Sequence, residues 1–240
     1  VRATYKEDLE TVAIRELVEA SQDLVPIVID LLEKIDGDPG EVGSIVRGGE
    51  GTVRLMEDWY RRQPRPAPFN PRFTMKLHAA TLEGVGYLIM EGFRTDHSTM
   101  TAYVLEEDGR YLLDWQASMG YSELLPAEVP KLAGGEVRLM RVHASPANLY
   151  SAVFPEEDYQ CYSISHLDPA AWVWAYAERG SLADEGLRVA ILSSSRGGAN
   201  RRATVKVQKG PDGARPNQVE VVEFLHVDWF SPGDEPDAGQ

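Results

Sequence analysis

The sequence predicts an α+β protein made of two modules, a helix-wrapped antiparallel sheet followed by a small β-barrel. Two observations lead to this prediction. Apolar residues repeat at helical spacing in the first quarter of the chain, and they alternate with polar residues from Phe73 onward. The alternation reaches the segment 111–121, YLLDWQASMGY, where Gly120 interrupts it at the middle of the chain. We therefore expect this segment to be the last strand of the first module.

Helices are expected before the first strand. Residues 5–20 carry a thin apolar stripe, and residues 24–35 carry a continuous one. Pro26 is compatible with this second helix only in its first turn, where backbone donors are unpaired. Thr52 is expected to be the N-cap of a third helix, which includes Trp59. A sheet that follows these helices can bury one face against them.

The strands of the two modules follow different orders. In the first module, four consecutive segments are expected to be strands that pair in sequence: 73–79, 84–93, 98–106 and 111–121, the last with apolar residues on alternate positions as far as Ala117. In the second module, the expected order is three strands, a helix and two strands: 137–144, 159–166, 172–178, the helix 181–192, 203–208 and 218–229. This order is the one found in OB barrels, and an SH3-like barrel is the alternative.

The expected boundaries follow from these elements. They are an N-terminal helical extension at 1–21, the α+β module at 22–121, a connector at 122–135, the barrel at 136–230 and a disordered tail at 231–240. Both Trp115 and Tyr121 are expected to be buried on either side of the boundary, because each offers a large apolar area.

Parts of the chain resemble known families. The helix VRLMEDWY at residues 53–60 and the strand end LLDW at 112–115 resemble the NTF2-like, or cystatin-like, cone fold over residues 22–118. The longer stretches VRLMEDWYRRQP, LLDWQASMGY and YQCYSIS resemble a bacterial family of uncharacterised proteins with an N-terminal membrane segment. The resemblance implies no activity, and it implies an anchor upstream of this chain.

Charge and cysteine content narrow the possible partners. Lysine and arginine number 24 against 38 acidic residues, and the net charge of −14 repels nucleic acid and anionic lipid at long range. Cys161 is the only cysteine, which excludes an intrachain disulfide and a cysteine-based zinc site. Because the chain begins at Val1 and not at a methionine, we expect an upstream segment in which a signal peptide or anchor would lie.

Asp114 is the first candidate for a catalytic carboxylate. It is flanked by apolar residues, which can make a carboxylate a general acid or base by removing water. The resemblance to NTF2-like enzymes implies that His78, Tyr87 or Tyr103 would be its partner. The alternative, which the strand parity favours, is that Asp114 lies on the polar face and binds a backbone group or an arginine.

The candidates for ligand binding are an aromatic row and a basic set in the second module: Trp172, Trp174, Tyr176, Arg201, Arg202 and Lys206. A row of aromatic side chains can be a stacking platform for bases or sugars. It can equally be buried, because large rings bury the most area, and burial is the favoured interpretation. The arginines near residues 193–202 are interpreted as the solvated charges of a loop.

No motif for dinucleotide, phosphate-loop, zinc-protease or serine-hydrolase chemistry occurs in the sequence. We therefore expect a non-catalytic binding or scaffolding protein with a protein partner and without a cofactor or metal. The alternatives are a small-molecule enzyme or binder that uses the cone of the first module, and a single-stranded nucleic-acid binder that uses the barrel. A membrane location is implied only through the expected upstream anchor.

Overall fold

The computed structural model describes residues 9–36, 41–72, 76–168, 170–193 and 202–233, and for residues 9–22 and 193 it describes the backbone alone. The chain divides into two compact units, one of residues 1–119 with 230–240 and the other of residues 120–229. An antiparallel sheet with helices in the first unit and a closed barrel in the second confirm the α+β class and the barrel.

The first unit combines helices with a four-stranded antiparallel sheet whose strands pair in sequence order. Its elements are α1 (Leu9–Asp36), α2 (Val42–Ile45), α3 (Gly49–Arg62), β1 (Lys76–Leu82), β2 (Val85–Phe93), β3 (Thr99–Glu107), β4 (Arg110–Asp114) and α4 (Trp115–Met119). Helix α1 packs against β1, β2 and β4. The expected starts of the first helix, 5–8, and of the first strand, 73–75, lie outside the described residues.

The predicted break between the first two helices is wrong. Helix α1 is continuous over its 28 residues, so Pro26 lies in its interior and not in a first turn. A proline there leaves the carbonyl of the preceding turn without its usual donor. The buried stripe of Leu24, Val28 and Leu31 offsets this cost.

The predicted start of the third helix is also wrong. Helix α3 begins at Gly49 after an N-cap at Gly48, and both glycines have positive φ. Thr52 lies buried in the first turn, where its hydroxyl donates to the Arg47 carbonyl at 2.5 Å. The glycines adopt a backbone conformation that most residues avoid, and this lets the helix start before Thr52.

The second unit is a closed five-stranded barrel of order β5-β6-β7-β9-β8. Its elements are β5 (Val137–Pro146), β6 (Tyr159–Ser165), β7 (Trp172–Glu178), α5 (Leu182–Ser193), β8 (Arg202–Lys209) and β9 (Gln218–Val227). Neighbouring strands are antiparallel except β7 and β9, which are parallel. Helix α5 connects β7 to β8 and packs against β9.

Two segments outside the expected modules have defined positions. Residues 122–135 belong to the second unit, where Glu123 and Leu124 donate backbone hydrogen bonds to the Leu139 carbonyl and Pro126–Lys131 forms a 3-10 helix. Phe230 and the next three residues belong to the first unit, and residues 234–240 of the expected tail lie outside the described part. None of the described helices is both long and apolar enough to cross a membrane.

Candidate functional site

Asp114 ends β4 and caps α4. Its Oδ1 accepts the backbone N–H of Ala117 at 2.9 Å, which is the N-cap pattern, and its side chain is buried. Its Oδ2 lies 3.4 Å from Nη1 of Arg47. The strand predicted over residues 111–121 therefore stops at Asp114, because the carboxylate satisfies a donor of the new helical turn. Both oxygens of the candidate carboxylate contact groups of its own unit.

Arg47, in the turn between α2 and α3, joins Asp114 to other parts of the first unit. Its Nε donates to Glu107 Oε1 at 2.9 Å. Its two terminal nitrogens donate to the backbone carbonyls of residues 231–233 at 2.5 to 3.2 Å. The guanidinium, whose side chain is only 15% exposed, thus connects two carboxylates with the segment that follows the barrel.

The proposed partners of Asp114 lie at different distances from it. Tyr103 is fully buried and lies directly opposite Asp114 in the β3–β4 pairing, with its ring 6.2 Å from that of Tyr87. Tyr87 is buried and stacks on Phe230, with ring centroids 4.0 Å apart and planes at 17°. His78 lies on β1, half exposed, 3.9 Å from Glu91. Strands β1 and β4 are the two edges of the sheet, so the backbones at His78 and Asp114 are roughly 14 Å apart.

A small cavity lies in the first unit, and its lining includes Leu113 and Trp115 on either side of Asp114 but not Asp114 itself. Its volume is about 50 Å³, and apolar residues such as Leu32 and Met56 line most of it. Its polar lining comes from Asp36, Tyr60, Arg65, Arg94, Thr101 and Ser118. Pockets for small molecules have volumes of about 300 to 1,000 Å³. This cavity has room for water molecules and not for a substrate of ordinary size.

The polar groups of the cavity are held by their own unit. Arg94 Nη1 donates to the Ala67 carbonyl at 3.0 Å, and burial lowers the pKa of Arg94. The Tyr60 hydroxyl accepts from Trp115 Nε1 at 3.3 Å, and burial raises the pKa of Tyr60. No pattern in the sequence points to Asp36, Tyr60 and Arg94, because they come from separate segments that only the fold brings together.

In the second unit, the small residues of β7 line the barrel interior and its aromatic residues face outward. Val173, Ala175 and Ala177 belong to the barrel core. Tyr176 is fully buried in a second cluster, where it stacks on Phe154 of the β5–β6 loop at 3.9 Å. The expectation that the aromatic row is buried therefore holds fully for Tyr176 alone.

Tyr176 is also fixed through its hydroxyl group. The hydroxyl donates to the Leu149 carbonyl at 3.0 Å and accepts from Gln218 Nε2 at 2.7 Å. Burial raises the pKa of Tyr176 to about 12, so the hydroxyl stays neutral at physiological pH. The middle of the outward face of β7 is thus covered by the protein itself.

The start of β7 is exposed. Trp172 is 42% exposed and meets Trp174 edge-on, with ring centroids 4.6 Å apart and planes at 72°. Trp174 is partly buried against the Tyr176 cluster, which fixes its position. Leu167, in the loop that leads into β7, is 55% exposed. The aromatic row therefore presents an edge-on tryptophan pair, the Trp172–Trp174 pair, at one end.

The basic candidates lie elsewhere on the barrel. Lys206 Nζ forms an ion pair with Glu223 Oε2 at 2.7 Å. The Arg202 guanidinium lies 4.5 Å above the Trp229 ring and 4.0 Å from Asp228. Arg201 lies outside the described residues. The two described cations thus have partners within the unit.

Trp229 also packs against two histidines of the second unit. The His166 ring is stacked on it at 5.9 Å, and the His143 ring lies at 5.0 Å. His166 Nε2 donates to the Gly120 carbonyl at 2.7 Å. Burial, together with Arg202 and His166, lowers the pKa of His143 to about 4. Burial also lowers the pKa of His166, so both rings are neutral near pH 7.

An open groove of about 580 Å³ lies at one end of the barrel. Its lining consists of Pro130, Gly134, Gly135, residues 208–216 and Gln218. Lys209 and Arg215 contribute positive charge to it, and Asp212 contributes negative charge. The groove is large enough for a ligand, and its mixed charge selects no particular class.

No model of a known protein family matches the chain, and a search of curated proteins finds no match either. Within the described ranges, no group of three or more His, Cys, Asp or Glu side chains is placed to hold a metal ion. The assignment of a function therefore depends on the geometry of each unit.

Proposed function

We propose that this chain is a non-catalytic binding protein that docks a protein partner through the Trp172–Trp174 pair. The observation that supports this most strongly is the 42% exposure of Trp172 beside a tryptophan that holds it edge-on. Tryptophan is enriched among residues that dominate binding energy at protein interfaces. A ring held by packing also loses little entropy on binding.

We further propose that the second unit is an OB-type barrel and the first an NTF2-like cone. The order of three strands, a helix and two strands, with the third and last strands parallel, supports the OB assignment. The packing of α1 on a four-stranded meander supports the cone assignment. Tethering through a membrane segment upstream of residue 1 stays an expectation from the family resemblance.

The rival functions have weaker support. A cavity of about 50 Å³ does not favour a small-molecule enzyme in the first unit, and Asp114 is not among the residues that line it. The net charge of −14 and the ion pair of Lys206 do not favour nucleic-acid binding. Among these classes of partner, a protein is therefore the best supported.

Affinity capture with matched variants tests the proposal. The parent chain, Trp172→Ala/Trp174→Ala and Leu182→Ala are immobilised, and proteins retained from an extract of the source cells are quantified by mass spectrometry. Leu182 is the control because it is 85% exposed on α5, away from the tryptophan pair in sequence. We expect one protein to be retained by the parent chain and by Leu182→Ala. The double variant should retain at least about tenfold less of it, because interface tryptophans are often hot spots.

The protein so identified is then purified, and its affinity for each of the three chains is measured by calorimetry. We expect the double variant to bind it more weakly than the parent and Leu182→Ala do. Equal retention by the parent and the double variant would exclude the tryptophan pair as the docking surface. Quenching of tryptophan fluorescence by oligothymidylate at low salt would instead favour the nucleic-acid alternative.

A further inference from the structure

The segment after the barrel is bound to the first unit in the manner of a peptide ligand. Phe230 is fully buried and stacked on Tyr87. The three residues after it lie against Arg47, which donates to each of their carbonyls. We call residues 230–233, Phe-Ser-Pro-Gly, the strap, and we call Arg47 with Tyr87 the slot.

The slot is held in place by the first unit itself. The Arg47 backbone N–H donates to the Leu113 carbonyl at 3.0 Å, and its carbonyl accepts from Thr52. Glu107 and Asp114 orient the guanidinium from the sheet side. A planar guanidinium fixed in this way presents its remaining donors in a set direction. The slot therefore exists independently of the residue types that the strap carries after Phe230.

We propose that the slot is a recognition site for a linear segment that carries an aromatic side chain followed by an extended, proline-containing stretch, and that the strap occupies it in cis. The aromatic side chain supplies the apolar anchor, since ring stacking and burial favour a flat side chain on Tyr87. The arginine reads main-chain carbonyls, which suits an extended proline-containing segment because such a segment leaves its backbone groups unpaired.

A partner that carries the same sequence pattern competes with the strap. The strap has a high effective concentration because it belongs to the same chain, so a free peptide binds the parent protein poorly. Removal of the Phe230 ring weakens the internal competitor and leaves Arg47 and Tyr87 unchanged. The proposal therefore predicts that Phe230→Ala gains affinity for a peptide that the parent chain excludes.

The probe is a fluorescein-labelled peptide Gly-Gly-Phe-Ser-Pro-Gly, and the measurement is fluorescence anisotropy with the full-length chain. We expect Phe230→Ala to bind it at least about tenfold more tightly than the parent, because the effective concentration of a tethered competitor is in the millimolar range. The same peptide with alanine in place of phenylalanine should not bind. Adding Arg47→Lys to Phe230→Ala should also weaken binding, because an ammonium group lacks the rigid planar fork with which the guanidinium contacts two carboxylates and three carbonyls together.

The matched control is Phe69→Ala, which removes a buried ring from the same unit and leaves the strap in place. If Phe69→Ala bound the peptide as well as Phe230→Ala, the gain would reflect general loosening and the proposal would be wrong. Equal binding of the alanine peptide, or no gain for Phe230→Ala, would make the strap a purely internal contact.

A second measurement uses the parent chain and does not depend on the folding of the variant. Hydrogen–deuterium exchange followed by mass spectrometry reports on the strap, because Phe230 is buried while the strap is bound. Unlabelled peptide at about 10 mM, above the millimolar effective concentration of the tethered strap, should displace the strap and accelerate exchange at residues 230–233. Unchanged exchange in this segment would overturn the proposal.

Discussion

The two units use their conspicuous side chains in opposite ways. In the first unit, Asp114 and Tyr87 look like members of a catalytic pair in the sequence, but the carboxylate caps a helix and the ring stacks on Phe230. In the second unit, Trp172 looks like a buried residue of an apolar strand but is 42% exposed. The neighbouring residues in the sequence therefore do not reveal whether a polar or aromatic side chain already makes structural contacts within its unit.

The largest effect is expected from Trp115→Ala in the first unit. Trp115 is fully buried and meets the Tyr60 ring edge-on at 5.9 Å. We expect the free energy of unfolding to fall by about 3 to 5 kcal/mol, as it does when large aromatic residues are deleted from a core. Chemical denaturation measures it. A loss below about 1 kcal/mol would mean that the unit does not depend on this ring.

The next largest loss in the free energy of unfolding is expected from Gly120→Ala in the second unit. Gly120 has φ +61, and an added Cβ would lie 2.9 Å from the Trp229 ring and 3.0 Å from His166 Nε2. We expect a loss of about 2 to 4 kcal/mol from backbone strain and overpacking together. The control is Gly84→Ala, where φ is +82 and no atom lies within 4 Å of the added Cβ, so only the strain of about 1 to 2 kcal/mol applies. Equal losses in the two variants would show that the rings yield to the methyl group.

A smaller loss of stability is expected when the pH falls. The pKa of His143 falls from 6.5 to about 4 in the folded chain, so the unfolded chain binds more protons between these values. Its contribution to stability is present above pH 6.5 and is lost as the pH falls toward 4, and we expect about 1 to 2 kcal/mol after allowance for partial solvation.

The measurement is the free energy of unfolding between pH 7 and 4 for the parent and His143→Gln. His143→Gln should lose less stability than the parent on acidification. Parallel curves for the two chains would contradict the burial of a neutral His143 ring.

How far the sequence predicts the fold depends on the range of the interactions. The strands of both sheets were predicted within a few residues, because alternation with period two is a local signal. The end of β4 was missed because Asp114 continues the alternation in sequence while its carboxylate binds the Ala117 N–H. The polar groups of the cavity were missed because they come from separate segments of the chain. The contacts of Arg47 with residues 231–233 were missed because these residues are far apart in the sequence. No pattern within a single segment indicates such contacts.

A still smaller effect is expected from Asp114→Ala. Loss of an N-cap typically costs about 1 kcal/mol, and the contact with Arg47 is lost as well. Asp114→Asn should recover most of the loss, because an amide oxygen can still accept the Ala117 N–H. Thermal denaturation of the two variants measures the difference. If asparagine were as destabilising as alanine, the charge facing Arg47 would matter more than the cap.

The smallest effect on stability is expected from Trp172→Ala. Because the ring is partly exposed and lies at a strand end, we expect the free energy of unfolding to change by less than about 1 kcal/mol. Chemical denaturation beside Trp115→Ala gives the comparison within one protein. A loss as large as that of Trp115→Ala would place Trp172 in the core and remove the contrast between the units.

Site-specific photo-cross-linking tests the proposed docking surface most directly. The photoreactive residue benzoylphenylalanine replaces Leu167, which is exposed in the loop that leads into β7, in one chain and the exposed Leu182 in another, so both tryptophans are kept. After irradiation in the source cells, we expect a discrete protein adduct from position 167 that is absent from position 182. The absence of any adduct at position 167, or the same adducts from both positions, would contradict docking through the tryptophan pair.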